Sequence, residues 1–336
     1  MRSSLRVTGA LALVLCTAVA PAGAAEAAPA AEPDRDFTIE DTRVTESSGL
    51  AASRAHPGVY WTHNDQDEPR VFAVDSRTGR TVATVTLRGV GTPRDMEAIS
   101  VGPDGHVYVG DIGDNLGGSW DHVWIYRFPE PKTLRDQSVQ AVQYDVKYAD
   151  GPRDAEALMV HPKTGRVYLA SKHEDGGGLY EGPARLSTKG VNTFRRIAEV
   201  PWVTDGAFSP DGDRLLLRGY LMAREYAWQG GRPGADRSIG APFQGQAESA
   251  TYTLDGSAAM LGSEGVGSRV LRVDLDDERP DGSGPTASPP AKGGGAGEGA
   301  QDGQEGQDQG SFGLGVVVLA LATAVVVGFK RLLRRG

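Results

Sequence analysis

The chain has 336 residues, with 44 acidic against 35 basic side chains and a net charge of −9. An acidic balance of this size argues against a nucleic-acid partner, because recognition of a phosphate backbone needs clustered Lys and Arg. The single cysteine, Cys16, lies in an apolar N-terminal stretch. A chain that sheds this stretch has no disulfide, no thiol nucleophile and no Cys-based zinc site.

Residues 1–27 read as a secretory signal peptide: Arg2 and Arg6, then the apolar run Val7 to Ala20, then small residues around Ala22, Ala24 and Ala27. Leu15 precedes Cys16 where a lipobox carries a small residue, which argues against lipidation.

From 36 to 277 the pattern is all-β: short runs rich in Val, Tyr, Leu and Thr alternate with Gly, Pro and Asp turns, with almost no helical period. One phrase occurs twice, Pro93-Arg94-Asp95-Met96-Glu97-Ala98-Ile99 and Pro152-Arg153-Asp154-Ala155-Glu156-Ala157-Leu158, each followed by a glycine turn and a strand. Alignment on it gives five units, with Tyr60, Tyr108, Tyr168, Leu216 and Ala259 at equivalent places, 48, 60, 48 and 43 residues apart. Repeats of this length, each unable to bury its own apolar face, predict a β-propeller of four-stranded blades. The fifth unit shows three strands, and Phe37-Thr38-Ile39-Glu40 is the expected outer strand that closes the ring. Six blades result instead if the long stretch from Gly110 to Asp154 merges two.

Residues 278–310, rich in Gly, Pro, Gln, Asp and Glu, predict a disordered linker with an r.m.s. span of roughly 30 Å. Residues 311–329 contain the uncharged run Phe312 to Phe329, about 27 Å long as a helix and so long enough to span a bilayer. Residues 330–336 carry Lys330, Arg331, Arg334 and Arg335, a basic cytoplasmic tail by the positive-inside rule. The expectation is a single-pass cell-membrane protein with its N-terminal domain outside, holding the membrane through its C-terminal helix.

No blade carries the Gly-His and Trp-Asp signature of WD40 repeats. Glu46-Ser47-Ser48-Gly49-Leu50, Trp61-Thr62-His63-Asn64-Asp65, Asp111-Ile112-Gly113-Asp114-Asn115 and the Asp-x-Glu-Ala pair resemble bacterial secreted propellers of the phytase-like and SdiA-regulated type. The resemblance covers 46 to about 175 well and the later units weakly. It implies a secreted propeller. Phytase-like propellers usually have six blades and richer calcium-binding acidic clusters than this chain shows.

In a four-stranded antiparallel blade the start of the first strand and the end of the second share one face, so both sets converge on one mouth of the central channel. That argument collects Glu97, Glu156 and Glu248 with Asp111, Asp114 and Asn115 as an oxygen-rich set suited to a hard cation such as Ca2+. His63, Asn64, Asp65, Lys172, Arg218 and Glu264 are the expected ligand-binding groups, with Lys172 and Arg218 able to hold a phosphate or carboxylate. The same acids serve equally well as turn caps and blade-to-blade bonds, and Arg94 and Arg153 as their ion-pair partners. The G-x-S-x-G, H-E-x-x-H and P-loop signatures are missing. The leading expectation is a tethered extracellular propeller that binds a ligand or protein partner at an acidic mouth. The alternatives are a metal-dependent phosphoester or ester hydrolase with Glu97 or Glu156 as base, and a structural or adhesive surface module.

Overall fold

The computed structural model describes residues 34–275, except 67 and 116. The expected signal peptide, linker, membrane span and basic tail lie outside the described residues. Within these the chain is all-β, and no helix is long and apolar enough to cross a membrane.

The strands are β1 (Phe37–Thr38), β2 (Ala51–Ala52), β3 (Val59–His63), β4 (Arg70–Asp75), β5 (Thr81–Arg88), β6 (Met96–Val101), β7 (His106–Asp111), β8 (Val123–Pro129), β9 (Gln137–Gln140) and β10 (Val142–Tyr148). They continue with β11 (Ala155–Val160), β12 (Val167–Ser171), β13 (Gly177–Glu181), β14 (Asn192–Val200), β15 (Asp205–Phe208), β16 (Arg214–Gly219), β17 (Met222–Gln229) and β18 (Arg232–Ser238). The last three are β19 (Ala247–Tyr252), β20 (Ala258–Ser263) and β21 (Arg269–Asp274).

The turns after β6, β11, β15 and β19 explain why the units repeat. Gly105, Gly165, Gly212 and Gly256 have φ of 69°, 68°, 70° and 71°, a left-handed conformation that residues with a Cβ rarely adopt. In three of them an aspartate oxygen accepts the backbone N–H two residues on: Asp104 from His106, Asp211 from Asp213 and Asp255 from Ser257. Thr164 does the same for Arg166 through its hydroxyl. The turns after β6, β11 and β15 thus reverse the chain into second strands rich in Val, Tyr and Leu and buried on both faces, and the turn after β19 leads into β20, whose Ala258 to Gly262 are equally buried.

Hydrogen bonding runs β2-β3-β4-β5-β9, β6-β7-β8-β10-β14-β13-β12-β11, β15-β16-β17-β18 and β19-β20-β21-β1. The eight-stranded sheet is two meanders joined at their outer edges by parallel pairing of β10 with β14. The long stretch from Gly110 to Asp154 contains β9, which pairs in parallel with β5 of the preceding sheet. The expected closing strand forms: Phe37 lies opposite Val270 and Thr38 opposite Arg269, and Ile39 N–H donates to Ser268 C=O at 2.9 Å.

The first strands neighbour one another in the order β6, β11, β15, β19, β2 and back to β6. Apolar side chains fill the gaps between successive meanders. Trp61 and Val71 meet Met96 and Tyr126; Ile125 and Tyr144 meet Leu158 and Tyr180; Leu179 meets Leu217 and Trp228. Leu216 meets Tyr252 and Leu261, and Met260 and Val270 meet Phe37, Ile39, Tyr60 and Phe72 of the opening segment. The result is a propeller-like ring of sheets around a central axis, and it places the starts of the first strands around one channel mouth.

Candidate functional site

One irregularity recurs at the mouth. In the β6–β7 pair Met96 lies opposite Asp111 and Ala98 opposite Gly110, so Glu97 is skipped. In β11–β12 Ala155 faces Ser171 and Ala157 faces Ala170, skipping Glu156. In β19–β20 Ala247 faces Ser263 and Ser249 faces Gly262, skipping Glu248. A bulge inserts an extra residue and re-aims its side chain. Here three strands spend that residue on a glutamate, and all three are buried, at 5, 1 and 6% exposure.

The loop after β7 presses on the first bulge. A Cβ on Gly113 would stand 2.7 Å from Glu97 Cγ and 2.8 Å from Asp95 Cγ, so only glycine allows this approach without displacing them. Gly113 N–H donates to Asp95 C=O, Lys172 N–H to Asp154 C=O and Glu264 N–H to Gln246 C=O. The residue two before each bulged glutamate is thereby tied to the end of its own second strand.

Lys172 sits among the bulged acids. Its Nζ is 2.8 Å from Glu156 Oε1 and lies over the Tyr220 ring, 5.5 Å from the centroid. Burial pushes the Glu156 carboxyl up to about 8; Lys172 works against this, while Asp154 and Glu248 add to it. Glu97 is held well above the usual carboxylate range by burial and then by Asp65, Glu156 and Asp95. Burial disfavours the charged Lys172, but Glu156 and Glu248 outweigh it and raise the ammonium well above its ordinary value. Arg218, 1% exposed, is pushed down to about 10 by burial against the pull of Asp205 and Glu248. Glu97, Glu156, Glu248, Lys172 and Arg218 therefore form one electrostatic group, with Asp65 beside Glu97.

The remaining predicted residues build the wall of the mouth. The carboxylate of Asp111 accepts Asp95 N–H at 2.7 Å, Arg94 N–H at 3.1 Å and the Tyr126 hydroxyl at 2.5 Å. Asp114 accepts the Ser119 hydroxyl and Trp120 N–H, and Asn115 donates to Asp95. Asn64 brackets the chain before β2, accepting Thr45 and Glu46 N–H and donating to Arg43 C=O. His63 is fully buried against Gly49, and burial pushes it down to about 4. Arg94 and Arg153 turn to aromatic faces: Arg94 stands 3.7 Å from the Trp124 centroid and 4.1 Å from that of Trp120, and Arg153 5.0 Å from that of Tyr180.

Among the described residues, acidic oxygens gather within 4.8 Å of one another in Glu46, Asp65 and Glu264. The predicted ring of Glu97, Glu156 and Glu248 is wider than that. Ser48 donates its hydroxyl to Asp65 at 2.5 Å and Gln246 its amide to Glu264 at 2.7 Å. Glu46, Tyr220, Gln244 and Asp205 join the site without having been singled out as site residues. Tyr220 and Gln244 lie in connections without a period, and Asp205 lies opposite Arg218 in an unbulged pair that lacks the repeated phrase.

No protein-family model matches the chain, and no curated protein sequence matches it. Among solved structures it is similar to a gluconolactonase from Xanthomonas campestris, at a TM-score of 0.45 and 15% identity over 71% of this chain and 91% of that one. It is also similar to hydrazine synthase from Kuenenia stuttgartiensis, at a TM-score of 0.39 and 13% identity over 64% of this chain and 61% of that one.

Proposed function

We propose that the mouth is the active site of a hydrolase acting on an ester or phosphoester, with Glu156 as general base. The carrying observation is the Glu156–Lys172 pair, a buried carboxyl at about 8 held at 2.8 Å by an ammonium group. A base whose pKa lies near working pH combines a useful ionised fraction with useful proton affinity. In this reading Glu156 takes the proton of the attacking water, and Lys172 and Tyr220 orient its carboxylate.

Glu46, Asp65 and Glu264 fit a hard divalent cation such as Ca2+ in donor type and spacing. A cation held there would supply polarisation of the scissile ester oxygen. The scaffold in this proposal is a five-bladed propeller, supported by the cyclic order of β2, β6, β11, β15 and β19. The phytase-like and SdiA-regulated resemblance is part of the same proposal. So is the extracellular, single-pass placement, which rests on the composition of residues 1–27 and 278–336. A second reading, ligand binding without turnover, is favoured by the ion pair itself, since Lys172 stabilises the ionised carboxylate and lowers its basicity.

The test is a panel of nitrophenyl phosphates, nitrophenyl esters and lactones, assayed with chelator and with added Ca2+. Hydrolysis of at least one class in Ca2+ and its loss on chelation are expected, with a decrease of about 100-fold or more in Glu156→Gln. Turnover that Glu156→Gln leaves unchanged contradicts the assignment, and no turnover of any class favours binding alone.

A further inference from the structure

Arg218 is the largest buried cation of the mouth, and its hydrogen bonding is incomplete. Nη2 donates to Gln244 Oε1 at 2.7 Å, but Nε and Nη1 are buried with no acceptor. The nearest carboxylates do not supply one. Asp205 spends its two oxygens on backbone donors, Oδ1 on Gly206 N–H and Oδ2 on Ala250 N–H, each at 2.7 Å. Glu248 approaches closely enough to be felt electrostatically, yet its Oε2 is itself buried without a partner. Leaving guanidinium donors dry and unpaired is costly, because a buried donor forfeits its water without replacement. A second cation, Lys172, lies in the same electrostatic group, linked to Arg218 through Glu248.

We propose that Arg218 is an anion-binding residue, and that the ligand of the mouth carries a carboxylate or phosphate group whose oxygens complete the hydrogen bonding of Nε and Nη1. This deepens the hydrolase reading by giving the substrate a charge, and rests on the same mouth. Gln244 is the internal competitor. It comes from the irregular connection between β18 and β19, caps Nη2 with its amide oxygen, and anchors itself through Nε2 to Arg269 C=O at 2.9 Å. The anion adds to the free donors, and removal of the Gln244 amide releases a third.

The test is calorimetric titration of the full chain with inorganic phosphate and with acetate, in chelator and at constant ionic strength. Saturable binding of one anion or both to the wild type is expected, and which one binds distinguishes a phosphate from a carboxylate ligand. Arg218→Gln is expected to weaken it about tenfold or more, the effect of one charge-assisted hydrogen bond. Gln244→Ala is expected to tighten it, which a purely structural Arg218–Gln244 contact would not do. Arg54→Gln, at the opposite end of the channel, serves as the unchanged control. Absence of saturable binding to the wild type overturns the proposal whether or not Arg218→Gln folds, as does unchanged binding in a folded Arg218→Gln. Because chelator removes the cation and no substrate is present, this outcome is independent of whether the mouth turns over an ester.

Discussion

His161, on the face away from the mouth, illustrates how one residue ties two sheets together through its protonation state. Its Nδ1 accepts the N–H groups of Lys163 and Thr164 at 3.2 and 3.3 Å, and Nε2 donates to Gly212 C=O of the next meander. This arrangement requires the neutral ring, whose tautomer follows from the bonding network. The ring also stacks edge-on against Phe208, and burial pushes its pKa below the ordinary 6.5. The unfolded chain therefore takes up the proton first as pH falls, so the contribution of His161 to stability is complete above about 6.5 and is lost as pH drops through the folded value. The raised carboxyls of Glu156 and Glu97 act in the opposite sense over this window, so the contribution of His161 is read as a difference: the advantage in thermal midpoint of wild type over His161→Gln is expected to shrink between pH 7 and pH 5. A difference that does not change with pH would contradict this role of His161.

At the level of elements, the bulges in β6 and β11 fall on the repeated phrase, and the bulge in β19, which lacks its aspartate, adds Glu248 as the third side of the site. The Asp-x-Glu phrase was legible in the chain because it is local, and strand topology pointed to the one end of the ring where Glu97, Glu156 and Glu248 act on Lys172 electrostatically. The bulges were not legible, since they depend on the register of the partner strand. Neither was the role of Asp111, Asp114 and Asn115: acidic turns and cation loops share a composition, and only the positions of Arg94, Asp95, Ser119 and Trp120 relative to them tell the two apart. The polar strand β9 likewise carries no alternation to announce that it leaves its own unit for the edge of β5. The loop after β7 makes the bulge argument testable. Gly113→Ala inserts a methyl group into the contact with Glu97 and Asp95. It should cost about 1–3 kcal/mol of unfolding free energy in denaturant titration, the usual penalty of overpacking. A variant as stable as wild type would mean that the loop is looser than its contacts imply.

For the molecule as a whole, closure depends on its opening segment. β1 supplies the outer strand of the last sheet, and the neighbouring side chains of Phe37 and Ile39 bury against Tyr60, Phe72, Met260 and Val270. This seam joins the first sheet to the last, and it was read from the sequence because the last unit lacks a strand and Phe37-Thr38-Ile39-Glu40 supplies one. Deletion of 34–40 removes two buried apolar side chains, worth about 3–6 kcal/mol together, and bares the edge of β21. The truncated protein is expected to unfold at lower denaturant concentration and to aggregate through that edge. Unaltered stability would contradict closure by the N-terminal strand.

The central claim is that the Glu156–Lys172 pair at the bulged mouth performs chemistry, and the pH dependence of turnover tests it most directly. With Glu156 as base, kcat/KM of the best substrate in Ca2+ should climb with pH and level off above about 8, where the carboxyl is ionised. Glu156→Gln should lose both the rate and the inflection. A profile that is flat through this range, or one whose inflection survives Glu156→Gln, would contradict the claim.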